Sequence, residues 1–119
     1  MKSILLVAHG SKAKATEQAF VKILGMVRAK LPELVIEAAY MQLSEKTLDL
    51  AVADLAERGA TAIRIVPYFL FTGMHIQKDI PEMIEEFAQQ YPHIEFSLAN
   101  TLGTDERLAD ILIDRIKEA

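Results

Sequence analysis

The chain contains no cysteine. Disulfides, thiolate catalysis and cysteine-based zinc or iron–sulfur sites are excluded together, so any metal chemistry must use histidine, carboxylate, amide or thioether ligands. Long apolar runs are also missing, and none approaches the ~20 residues that a membrane span requires. Basic residues number 13 against 17 acidic ones, a net charge of −4, and no Lys/Arg cluster interrupts the balance. Nucleic acid is therefore not the expected partner. Met1-Lys2-Ser3 leads straight into an apolar segment without a small-residue cleavage site, so the expectation is a cytoplasmic protein with no signal peptide. Nucleotide and hydrolase signatures are absent as well. There is no G-x-x-x-x-G-K-[ST], the five glycines form no G-x-G-x-x-G, and neither G-x-S-x-G nor H-E-x-x-H occurs. An ATP-driven reaction is not expected.

What is present is a regular alternation. With 119 residues, 51% of them hydrophobic and 25% charged, the sequence has the size and composition of one globular domain spanning residues 1–119. Strand-like segments cover Ser3 to Ala8, Leu34 to Tyr40, Ala62 to Val66 and Ile94 to Ala99. Helical spacing runs from about Ala15 to Leu31, stopped by Pro32, with Phe20, Ile23, Leu24, Val27 and Leu31 on one stripe. A second helix is expected from about Ser44 to Arg58, facing inward with Leu48, Val52, Leu55 and Ala56 and capped by Gly59. Pro67 is read as ending the third strand's ladder. Asp79-Ile80-Pro81-Glu82 has the form of a capping box, opening a helix that buries Ile80, Met83, Ile84, Phe87 and Tyr91 before Pro92. A last helix runs from Thr104-Asp105-Glu106 to about Lys117. Strands alternating with helices imply right-handed βαβ units, hence an α/β fold with a four-stranded, mainly parallel sheet, a flavodoxin-like half in order 2-1-3-4. No internal repeat or low-complexity stretch is evident.

Chemistry concentrates at two strand tips. His9 ends the run Ile4-Leu5-Leu6-Val7-Ala8 and opens a turn through Gly10, Ser11 and Lys12. His75 closes the apolar segment Tyr68-Phe69-Leu70-Phe71-Thr72-Gly73-Met74 that follows the third strand. In order 2-1-3-4, strands one and three are neighbours at the topological switch point, where open α/β sheets bind ligands. Two imidazoles at one cleft suit a borderline metal ion or a proton transfer. The bland alternative is a turn residue bonded to local backbone for His9 and a satisfied loop histidine for His75, and their pairing at one cleft favours function for both. His93, at a helix–strand junction on the opposite end of the sheet, is read as a surface residue. Gln42, at the tip of strand two, could serve as an amide ligand or orienting group, although a polar loop residue is the simpler explanation. Lys12, Lys14 and Lys78 flank the cleft and would suit an anionic ligand. Asp79 is read as a helix cap in preference to a metal ligand. Tyr68 to Lys78 is the longest stretch without a period and is too apolar for disorder, so it is expected to line or cover something.

Together these segments resemble a known family. Val7-Ala8-His9-Gly10-Ser11-Lys12, Ala39-Tyr40-Met41-Gln42, and Pro67-Tyr68-Phe69-Leu70-Phe71-Thr72-Gly73-Met74-His75 followed by Asp79-Ile80-Pro81 resemble the class II tetrapyrrole chelatases, specifically the short CbiX-like sirohydrochlorin cobaltochelatases. The resemblance implies ATP-independent insertion of a divalent ion into sirohydrochlorin, with His9 and His75 as metal-binding and catalytic residues. Cobalt is the first expectation, with nickel and iron suiting the same ligands, and no cofactor beyond this substrate metal is implied. Ser11, Lys12, Gln42 and the segment from Tyr68 through Met74 would contact the macrocycle. Many members carry Glu where this chain has Gln42, which cannot ionise, so proton removal shifts to histidine or water. Longer relatives build the cleft between two similar halves, so a homodimer is expected here. Two alternatives remain open at this point. Val7-Ala8-His9-Gly10 also resembles the phosphohistidine loop of sugar-phosphotransferase carriers, and a non-catalytic metal carrier would use the same ligands.

Overall fold

The computed structural model describes residues 1–42, 44–71, 73 and 78–118. Four parallel strands, β1 (Lys2–Ala8), β2 (Val35–Tyr40), β3 (Ala62–Pro67) and β4 (Glu95–Leu98), form one sheet in the order β2-β1-β3-β4. Helices α1 (Lys14–Lys30), α2 (Leu48–Glu57) and α3 (Ile80–Gln90) connect them, and α4 (Glu106–Lys117) follows β4. This is the α/β architecture and strand order expected from the alternating pattern. Among the described residues, no helix is long and apolar enough to cross a membrane.

The central strand β1 is buried on both faces, and its sequence alternates which core it feeds. Leu5 and Val7 pack with Leu48, Val52 and Leu55 of α2, Ile80 and Phe87 of α3, and Ile63 and Ile65 of β3. Leu6 points the other way, onto Phe20 and Leu24 of α1 with Ile36 and Tyr40 of β2. Among the described residues α2 and α3 thus pack on one face of the sheet and α1 on the other. At its far end α1 is clamped to β2, where the Arg28 Nε donates to the Ile36 carbonyl at 2.8 Å and a guanidinium nitrogen lies 3.1 Å from Glu37.

Three boundaries differ from the sequence-based expectation, each for a local reason. The second helix begins at Leu48, four residues later than Ser44. Ser44 closes its own turn by accepting from the Lys46 N–H, and the Tyr40 N–H donates to the Lys46 carbonyl beside an isolated bridge between Tyr40 and Thr47, so the helix starts only after Thr47. Pro67 does not end the third ladder. It pairs with Val7, and the next N–H, that of Tyr68, donates to the Val7 carbonyl at 2.7 Å. Successive N–H groups of a strand point to opposite sides, so the proline's missing donor faces the side where β4 has already ended. The capping box is not formed. Asp79 is itself helical (φ −65°, ψ −50°) and its side chain does not cap α3. Gly59 does cap α2 as expected, with φ +93° and its N–H donating to the Ala56 carbonyl.

Leu55 is fully buried between α2 and the sheet. Leu55→Ala is expected to cost about 2–5 kcal/mol in urea unfolding, since the residue lies where the surroundings cannot collapse easily. A loss well below 1 kcal/mol would show that α2 packs more loosely than described.

Candidate functional site

The carboxyl edge of the sheet is organised around the end of β1. Beyond its last paired residue, the His9 carbonyl accepts from the Gln42 N–H at 3.1 Å and the Ala8 carbonyl from the Met41 N–H at 3.0 Å. On the other flank the Tyr68 N–H is tied to Val7. The backbone therefore brings the tips of β2, β1 and β3 side by side. Gly10 makes this approach sterically tolerable. Its φ is +100°, and a Cβ there would lie 1.9 Å from the Gln42 carbonyl oxygen. No other residue type fits without moving the strand tips.

His9 is exposed, and its ring meets Phe69 edge-on with centroids 5.4 Å apart. Tyr68 turns to the opposite side and stacks on Phe20 at 5.4 Å, which also meets Tyr40 edge-on at 5.5 Å. Leu70 and Phe71 are largely exposed, at 53% and 69%. Gly73 is exposed as well. Ser11, half-buried, accepts from the Ala13 N–H at 3.1 Å and so shapes the turn into α1. Lys12, Lys14 and Lys78 are exposed. Among the predicted site residues, His9, Gln42 and Phe69 are thus assembled at one edge. His75, Thr72 and Met74 lie outside the described residues. His93 is exposed just before β4, at the amino end of the sheet, as expected. Among the described residues, no three His, Asp or Glu side chains are grouped to hold a metal ion.

Some of the surroundings were not anticipated. A small cleft of about 80 Å³ beside His9 is lined in part by Ser11, Glu17, Phe20 and Tyr40. Burial pushes the Tyr40 phenol above its ordinary range, and the Glu17 carboxylate adds to that shift, so the hydroxyl stays protonated. The segment after β4 also reaches this edge. Leu102 N–H donates to the Phe69 carbonyl at 3.0 Å and Gly103 N–H to the Leu70 carbonyl at 2.7 Å. An open cleft of about 410 Å³ runs along residues 98–104, offering Asn100, Thr101 and Thr104. The available sequence signal was topological: β4 neighbours β3, so its carboxyl end, marked by Asn100-Thr101-Leu102-Gly103, had to emerge at the same edge. A separate cleft of about 180 Å³, between Glu37, Lys46 and Asp54, lies along β2 and α2, away from the histidine.

The CbiX family model matches residues 3–119. The chain belongs to the CbiX family. It is 36% identical to the sirohydrochlorin cobaltochelatase of Methanosarcina acetivorans over 98% of this chain and 95% of that protein. It is 35% identical to the sirohydrochlorin ferrochelatase of Priestia megaterium over 99% of its length, but spans only 44% of that longer relative. The crystal structure of the sirohydrochlorin chelatase SirB from Bacillus subtilis subspecies spizizenii in complex with cobalt superposes with a TM-score of 0.90 at 34% identity, covering 98% of this chain and 50% of that one. The chain therefore corresponds to one half of the longer family members and to nearly the whole of the shorter ones. Neither the phosphohistidine carrier nor the non-catalytic metal carrier finds support among these family members.

The Gly10 contact yields a paired test. Gly10→Ala is expected to lower stability by more than about 1 kcal/mol, from the left-handed backbone strain and the collision with Gln42. Gly25, helical with open space around a Cβ, should behave oppositely, Gly25→Ala raising stability by up to about 1 kcal/mol. Equal responses in denaturant unfolding would remove the argument that position 10 is sterically closed.

Proposed function

We propose that this chain is a sirohydrochlorin chelatase that inserts a divalent metal without ATP, cobalt foremost, with iron or nickel accepted by the same donors. The observation that carries this reading is the exposed His9 at the switch-point edge of a chain that matches cobalt- and iron-chelatase relatives over nearly its entire length. Sirohydrochlorin and the metal ion are the substrates, in a cytoplasmic reaction with no nucleic acid or membrane involved.

Insertion replaces two pyrrole N–H protons by one M²⁺, releasing two protons and the metal's bound water. In this reading His9 and His75 carry the ion as neutral imidazole ligands, which suit Co²⁺, Ni²⁺ and Fe²⁺. A neutral imidazole can also take up a released proton on its vacated nitrogen once its ion has moved to the ring. Gln42, adjacent to His9 through the backbone, orients a donor or a water but cannot be the base. The cleft beside His9 is far too small for a tetrapyrrole, since ligand pockets generally run to ~300 Å³ or more. The macrocycle must therefore lie across the edge, its flat face against Phe69, Leu70 and Phe71. Ser11, Lys12, Lys14 and Lys78 would meet its peripheral carboxylates. One such edge covers one face of a flat ring. A second copy, seated near the exposed loop after β3, would cover the other, making the working unit a homodimer.

Metal-dependent absorbance change of sirohydrochlorin, with cobalt, nickel and iron compared, tests the activity. His9→Ala and His75→Ala should each slow insertion at least about tenfold while leaving the circular dichroism unchanged. Gln42→Ala should cost less than either, and Gln42→Glu should shift the metal preference by adding a negative donor. A wild-type rate no higher than the protein-free reaction would overturn the proposal. A Gln42→Ala loss as deep as that of His75→Ala would overturn the role given to the amide.

A further inference from the structure

The small cleft beside His9 differs in kind from the rest of the carboxyl edge. Its volume of about 80 Å³ leaves room for roughly two or three groups the size of a water molecule, which takes up ~30 Å³ in the liquid. Phe20 and Tyr40 wall it from within, and the exposed Thr16 and Glu17 at the start of α1 complete its lining. The two inner rings are fixed before any ligand arrives. They are buried, they meet edge-on at 5.5 Å, and Phe20 is stacked from another side by Tyr68 at 5.4 Å. The surface this slot offers is almost wholly carbon, although it opens beside a histidine.

Such a slot discriminates among substituents. A carboxylate entering it would find almost no hydrogen-bonding surface, and burying a charge without partners is costly. It would also approach the carboxylate of Glu17, which is close enough to act on the Tyr40 phenol. A single methyl group meets neither obstacle. Sirohydrochlorin carries both kinds of group at the same atoms. Two of its four rings are reduced, and each has a tetrahedral carbon bearing a methyl and an acetate on opposite sides of the macrocycle plane. Both methyls project from one face and both acetates from the other. A ring seated flat on the edge therefore presses one kind or the other into the protein surface beneath it.

We propose that the slot beside His9 is a methyl pocket that fixes which face of the macrocycle meets the metal. One C-methyl of a reduced ring enters between Phe20 and Tyr40, so the methyl-bearing face lies toward the histidines and the acetates point away from them. Phe20 and Tyr40 thereby take a part in recognition beyond their place in the core. The pocket also gives the chain a means to prefer sirohydrochlorin over uroporphyrin, which has the same acetates and propionates but no C-methyl. The inference rests on the sirohydrochlorin reading and adds a specificity element to it.

Binding of metal-free sirohydrochlorin to the full chain tests the pocket without requiring turnover. With the two C-methyls isotope-labelled, nuclear Overhauser contacts should run from a methyl to the ring protons of Phe20 and Tyr40. Thr16→Phe, a change at an exposed position that fills the slot, should weaken sirohydrochlorin binding at least about fourfold, the contribution of one buried methyl. Its circular dichroism and its affinity for uroporphyrin should stay as in wild type. Methyl contacts to other residues only would overturn the pocket and leave the chelatase reading standing. An unchanged sirohydrochlorin affinity in Thr16→Phe, or an equal loss for both macrocycles, would overturn it as well. A wild-type chain that does not bind sirohydrochlorin at all would overturn the chelatase reading and the pocket with it.

Discussion

The carboxyl edge depends on one close approach, the contact of Gly10 with the backbone of Gln42. Because position 10 carries no side chain and adopts a positive φ, the chain leaving β1 can turn sharply while its last carbonyls still bond to the extension of β2. His9 is thereby delivered to the edge with its backbone committed and its ring set edge-on against Phe69. The same strand holds Tyr68 on its other flank, which commits the start of the loop that leads to His75. A strand tip fixed on both sides is a rigid platform, and rigid platforms are what ligand-positioning side chains need.

Much of this was legible in the sequence, because the signals were local and redundant. Apolar alternation, Pro32, Gly59 and Pro92 delimited elements whose order could only build parallel βαβ units. That topology alone put His9 beside the residues following β3. The misread details were those in which a side chain had two local options. Ser44 and Asp79 are both good helix-start residues, but Ser44 was taken by its own turn and Asp79 by the helix itself. Pro67 looked like a stop because a proline usually is one; only the length of the neighbouring β4 shows that its missing N–H faces no partner. The sequence alone also did not reveal that α4, despite its regular apolar spacing, would bury none of it, since a periodic stripe does not say whose surface it covers.

The functional reading treats the metal as cargo. An ion that must be handed to a macrocycle is better held by a few neutral donors with open positions than by a closed cage, since open coordination positions are what distinguish reactive from structural sites. Two imidazoles on neighbouring strand tips would meet that need. Removal of pyrrole protons then falls to histidine or water, because the amide of Gln42 cannot ionise. In this reading the half-length of the chain relative to SirB and to the Priestia enzyme calls for a second copy, because a flat substrate needs two walls.

The central claim is that His9 and His75 together hold the ion that is inserted. Anomalous diffraction from crystals loaded with Co²⁺ measures this directly. The account predicts a cobalt peak at the carboxyl edge within bonding distance of both imidazoles, close to Gln42 and Phe69. A cobalt site built by other residues, or the two imidazoles on opposite faces of the sheet, would contradict it.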